Sequence, residues 1–119
     1  MKSSKNYSDY LNDIIQYARK AESFVEGVSL EDFKANEEKA LAVIRALEVI
    51  GEAARTIPKP IRNKYPRVPW DEMTGMRDKL IHDYFGVDYT IVWDVATTKL
   101  APLRRQLQSL MKSIEECQK

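Results

Sequence analysis

With 119 residues and a formal net charge of +1, the chain has the size of one compact domain, and its charge balance excludes a protein that grips nucleic acid with its whole surface. An apolar share of 44%, with only four glycines and five prolines, excludes extended disorder and fits a helix-rich globular protein. The single cysteine, Cys117, excludes an intramolecular disulfide or a cysteine-rich metal site.

The N-terminal segment from Met1 to Asn6 lacks the apolar core of a secretory signal, and no apolar run approaches the roughly 18 residues that cross a bilayer. A soluble, cytoplasmic single domain over residues 1–119, with no membrane partner, is expected. Tyr7, Tyr10, Leu11, Ile14, Ala18, Ala21 and Val25 recur at three- and four-residue steps, which predicts a first helix capped by Ser8 and ended by Gly27. Ser29 opens a second helical stretch, with Asp32 completing a variant capping box. Its apolar stripe is Phe33, Ala40, Val43, Ile44, Leu47, Ile50, Ala54 and Ile57. Gly51 falls on that stripe, where glycine costs about 1 kcal/mol relative to alanine, and is read as a point of close helix approach.

Pro58 and Pro60 stop the helix, and a short turn is expected from Ile61 to Tyr65. Pro66 and Pro69 then lead into a third helix starting near Trp70 or Asp71. After Gly86, Asp88 caps a last helix whose seam is Trp93, Ala96, Leu100, Leu103, Leu107, Leu110 and Ile114, with a kink expected between Thr98 and Pro102. No segment has strand periodicity. The fold class is all-α, an antiparallel helical bundle of four principal helices plus a short connecting helix.

Chemistry concentrates in Arg77-Asp78-Lys79-Leu80-Ile81-His82-Asp83-Tyr84, which sets the one histidine of the chain near an arginine, carboxylates and a phenol. Histidine exchanges protons near neutrality and arginine fits phosphate, so the combination points to phosphoryl chemistry. On a helix Arg77 shares the apolar row of Trp70, Met73, Leu80, Ile81 and Tyr84. It is therefore either paired with Glu48 or Glu52 as a structural ion pair or aimed at an anion. His82 lies about 140° around the same helix. Arginine reach, helix unwinding towards Gly86, or a second chain would bring the two together.

The third route also answers a chemical shortage. Metal-free RNA cleavage needs one group to take the 2′-hydroxyl proton and another to protonate the leaving oxygen, and a homodimer supplies two histidines. No metal is expected, because Asp78 and Asp83 give no recognised ligand spacing, and no cofactor is implied. Tyr84 is either a core aromatic or a phenol that orients phosphate or accepts a nucleotidyl group. Upstream, Arg55, Lys59, Arg62, Lys64 and Arg67 form a basic stretch without an intervening acidic residue, either a solvated loop or a patch that holds RNA.

Arg77, four residues, His82, one residue and Tyr84 form the R-x4-H-x-Y signature of HepT-like proteins, minimal members of the HEPN superfamily, which this chain resembles over nearly its whole length. The resemblance includes Ile50-Gly51-Glu52-Ala53-Ala54 and the Pro69-Trp70 entry to the motif helix. It implies an all-α homodimer whose motif helices line a shared cleft, and an RNase toxin acting on tRNA or mRNA. It also implies an MntA-like nucleotidyltransferase antitoxin, with which larger hetero-oligomers could form. Carried over, Arg77 and His82 are the catalytic pair and Tyr84 is the tyrosine to which the antitoxin adds AMP; Asp78 and Asp83, outside the signature, are candidate supporting residues. Two other readings stay open: a non-catalytic helical partner that docks a nucleotidyltransferase, and a structural oligomerisation domain in which Arg77 is an ion pair.

Overall fold

The computed structural model describes residues 6–82 and 86–117. Its first helix, α1 (Tyr7–Val25), is capped by Asn6 and not by Ser8. The Asn6 carboxamide accepts the backbone N–H of Ser8 at 3.0 Å and of Asp9 at 3.2 Å. The Asp9 carboxylate in turn accepts the N–H of Asn6, so the capping box is reciprocal. Ser8 is drawn inside the helix, where its hydroxyl donates to Asn6 Oδ1. Gly27, with a φ of 71°, turns the chain out of α1 in the left-handed region open to glycine.

The expected single helix from Ser29 onward is two. Ser29 caps α2 (Leu30–Ala35), and Asn36 then breaks it and caps α3 (Glu37–Thr56) by accepting the N–H of Lys39 at 3.0 Å. The apolar stripe stays in phase across this break because Phe33 and Ala40 are about two helical turns apart, and both are fully buried. Residues expected to form a turn close a short helix instead, α4 (Lys59–Lys64), with Pro60 in its first turn and Tyr65 as its C-cap.

The motif helix is α5 (Trp70–His82), as expected. Its first turn is satisfied by the Pro69 carbonyl, which accepts the N–H of Met73, and carries Asp71 and Glu72 where the helix dipole favours negative charge. The Trp70 indole donates to the Tyr65 carbonyl at 3.0 Å and fixes the entry.

Asp88 caps α6 (Tyr89–Asp94), accepting the N–H of Thr90. A π turn over Val95–Lys99 joins it to α7 (Leu100–Cys117), with the Leu100 N–H bonded to the Val95 carbonyl. The distortion that proline imposes thus lies one turn before Pro102, and the hydroxyls of Thr97 and Thr98 cover carbonyls of Trp93 and Asp94 there. Val92, Ala96 and Leu100 are the buried residues across the join. Two successive steps of four exceed two α-turns, and the wider π turn absorbs the excess. Trp93 sits off this seam, half-buried, and donates its indole N–H to Val28.

The architecture is all-α, with no strand among the described residues. Helix α3 packs between α1 and α5, and α1 also packs on α7. Four long segments therefore carry the core and two short helices, α2 and α4, connect them. No described polar or charged residue is buried. At the α1–α7 seam Arg104 makes two hydrogen bonds to Glu22, at 2.8 and 3.0 Å, which hold its guanidinium above its usual pKa against the opposing effect of burial. No helix among the described residues is long and apolar enough to cross a membrane.

Candidate active site

The motif helix meets α3 where α3 has no side chain. A Cβ built on Gly51 would stand 2.7 Å from the Met73 carbonyl oxygen and 3.0 Å from Cγ of Arg77, and nearer still to Cβ of Arg77. The close approach expected at Gly51 is therefore real, and the residue seated on it is the motif arginine. Trp70, Met73 and Leu80 of the same row are buried, whereas the Arg77 side chain keeps 27% of its exposure. Its stem crosses the apolar seam while its head reaches the rim.

At that rim Nη2 of Arg77 pairs with Glu52 at 3.1 Å, and Nη1 donates to Oδ1 of Asp78 at 3.0 Å. Of the two partners expected for Arg77, Glu52 holds it; Glu48 instead lies 3.5 Å from Arg45. The same Asp78 Oδ1 also accepts from Nη2 of Arg55, in the last turn of α3. Two guanidiniums from two helices thus converge on one carboxylate oxygen. Arg55, Glu52 and Asp78 are each about half exposed, so the group exchanges with water and outside ions.

Beside it opens a cleft of about 390 Å³ bounded by Tyr10, Asp13, Glu48, Glu52 and Arg77. The basic stretch does not form one patch. Arg55 belongs to the Arg77 group, Lys59 and Arg62 line a second cleft of about 510 Å³ by Trp70, and Lys64 and Arg67 line a third facing Gln106. Arg62 Nε is buried without a hydrogen-bond partner among the described residues.

Helix α5 continues to His82, so its backbone turns about 140° between Arg77 and His82 without unwinding in between. The His82 side chain, Asp83 and Tyr84 lie outside the described residues. Among the described residues no group of three or more His, Cys, Asp or Glu side chains could hold a metal ion.

One feature of the site was left open by the sequence and another was missed. Glu52 was one of two candidates, separated from Glu48 only by the crossing at Gly51. The pairing of Arg55 with Asp78 spans 23 positions and has no local signal; the one hint was a basic residue four positions after Gly51, about one helical turn on.

Comparison with known proteins adds an independent finding. The family model "Ribonuclease HepT-like" matches residues 14–110. The chain is 46% identical over 107 residues to a protein of Methanocaldococcus jannaschii named "Putative RNase", covering 90% of this chain and 92% of that one. It is 42% identical over 103 residues to another so named from Caldanaerobacter subterraneus, covering 87% and 92%. Identity to "Probable ribonuclease HepT" of Thermococcus cleftensis is 41% over 108 residues, covering 91% of this chain and 98% of that one. No solved structure matches the chain significantly.

Proposed function

The chain belongs to the ribonuclease HepT-like family, and from that premise we propose that it is an endoribonuclease, the toxin of a toxin–antitoxin pair. The observation that carries this reading is the placement of Arg77. An arginine of the family signature is seated over Gly51 with its guanidinium at a solvent-open rim, held by Glu52, where a phosphodiester can reach it.

In this reading the RNA 2′-hydroxyl attacks the adjacent phosphorus, leaving a 2′,3′-cyclic phosphate and a 5′-hydroxyl. Arg77 neutralises the charge that builds on the phosphoryl oxygens, and prearranged charge of this kind supplies several kcal/mol. His82 handles the protons. Because the chain holds one histidine, a homodimer is the arrangement that supplies both an acid and a base to one scissile bond. Asp83 supports the pair, Asp78 engages the Arg77 guanidinium before RNA enters, and Lys59, Arg62, Lys64 and Arg67 hold the RNA backbone with little choice of sequence.

A nucleotidyltransferase antitoxin would silence the enzyme by placing AMP on the Tyr84 phenol, which adds bulk and negative charge beside the anion site. Expressed in cells, the unmodified chain should degrade RNA and His82→Ala should not. Tyr84→Phe should stay toxic when the antitoxin is present. Intact RNA in all three cases would defeat the reading.

A second reading is favoured by one observation, the double engagement of Arg77 by Glu52 and Asp78, as in a structural ion pair. It makes the chain a structural oligomerisation domain without catalytic activity. Under it Arg77→Ala lowers stability while His82→Ala leaves cellular RNA unchanged.

A further inference from the structure

We infer that Arg55 and Arg77 together form a two-guanidinium site for one phosphodiester group, and that Asp78 occupies this site as a built-in placeholder which the nucleic-acid backbone displaces. The inference rests on the ribonuclease reading only for the identity of the polymer, and it gives Arg55 a specific place beyond general attraction of RNA.

The geometry points there because both arginines donate to the same atom. Nη2 of Arg55 and Nη1 of Arg77 converge on Oδ1 of Asp78, although the arginines come from α3 and α5 and lie 22 positions apart. A carboxylate oxygen held by two forked cations is a close chemical stand-in for a phosphoryl oxygen, and arginine holds both in the same planar way. The roles of the other atoms divide cleanly. Glu52 engages Nη2 of Arg77 while Asp78 accepts from Nη1, so the two carboxylates hold different nitrogens of the guanidinium.

The neighbouring cleft is a poorer place for an anion. Asp13, Glu48 and Glu52 all line it, against Arg45 and Arg77. On the Asp78 side two guanidiniums share one carboxylate oxygen, and with Glu52 still on Arg77 the removal of the Asp78 charge leaves one net positive charge at the shared edge. Displacement is feasible because Asp78 is 46% exposed, so its ion pairs to Arg55 and Arg77 are screened by water. An entering phosphodiester recovers comparable contacts and gains the release of its own counterions.

The test measures binding apart from cleavage. A fluorescein-labelled oligodeoxynucleotide carries the phosphodiesters but lacks the attacking 2′-hydroxyl, so its anisotropy can be followed with the full chain as salt is varied. Arg55→Ala should weaken binding about tenfold, the effect of one charge-assisted hydrogen-bonding group. It should also reduce the slope of log affinity against log salt by about 0.7, one phosphate contact on a single strand. Asp78→Asn should tighten binding several-fold, and this gain should disappear in the Arg55→Ala background. Arg55→Lys, which keeps the charge, should restore the salt slope but only part of the affinity.

Each contrary result overturns the inference. If the unmodified chain does not bind the probe, or Arg55→Ala binds within twofold of it with the same salt slope, there is no two-arginine site. If Asp78→Asn weakens binding as Arg55→Ala does, Asp78 positions the arginines and is not a placeholder. RNA cleavage by the unmodified chain is scored separately. The expected binding pattern without cleavage would retain this site and reject the nuclease reading; cleavage without the pattern would do the reverse.

Discussion

Replacing Gly51 by alanine should destabilise the protein, although the same change elsewhere on an exposed helix stabilises it. Alanine in a helix interior gains about 1 kcal/mol over glycine. Here the new methyl would meet the Met73 carbonyl oxygen at 2.7 Å and Cγ of Arg77 at 3.0 Å, with Cβ of Arg77 closer still. Ordinary carbon contacts lie at about 3.5–4.0 Å, so α5 must withdraw by about 1 Å. No rotamer change helps, because a carbonyl and a Cβ move only with their backbone. Overpacking of this kind costs about 1–3 kcal/mol. The clash involves the backbones of two helices, so we take the upper part of that range and expect a net loss of about 1–2 kcal/mol. Gly75 is the internal control. It lies exposed in α5 with no atom within 4 Å of a built Cβ, and Gly75→Ala should gain up to about 1 kcal/mol. In thermal unfolding, at about 4 °C per kcal/mol for this size, the midpoints should move in opposite directions. RNA cleavage should fall with Gly51→Ala, because the withdrawal carries Arg77 with it. A Gly51→Ala protein at least as stable as Gly75→Ala would refute the seat for Arg77.

Other predictions concern what holds the frame around the site. Asn36→Ala removes the cap that starts α3 and should cost about 1 kcal/mol in urea unfolding, while Asn36→Asp should retain most of the stability. A double-mutant cycle on Glu22→Gln and Arg104→Met should give a coupling of about 1 kcal/mol, since the pair is bidentate and both side chains are about four-fifths shielded; additive effects would show that the pair does not tie α1 to α7. Trp93→Phe should cost about 1 kcal/mol or more by leaving the Val28 carbonyl without its indole donor, visible as faster amide exchange at the α1–α2 turn.

The helices were legible because their apolar spacing is regular, and the misreadings occur where regular spacing hides a local event. The break at Asn36 was invisible because Ala40 stands seven positions after Phe33, so the stripe reads the same through a capped break as through a continuous helix. Asn6 and Ser8 are both good capping residues; Asp9, three positions after Asn6, was the available signal for choosing Asn6. At the π turn, a seam drawn with Trp93 assumed α-spacing, whereas Val92, Ala96 and Leu100 keep the core by widening one turn. In the site, Gly51 announced a close approach and the position of Arg77 on an apolar face announced a pairing. That these are one feature depends on which helices cross where, and tertiary register of that kind is not written in the periodicity of either helix. The same holds for Arg55 on Asp78. Tyr84 lies outside the described residues, so its expected role rests on the signature.

The most direct test of the central claim is cleavage of total RNA and tRNA by the purified protein in excess chelator, comparing the unmodified chain with Arg77→Ala and His82→Ala after matching their fold and oligomeric state. A metal-independent nuclease using Arg77 and His82 requires cleavage by the unmodified chain with 2′,3′-cyclic phosphate ends, and a loss of several orders of magnitude in both variants. No cleavage by the unmodified chain, with mass spectrometry showing no AMP on Tyr84, or undiminished cleavage by either variant, would contradict it.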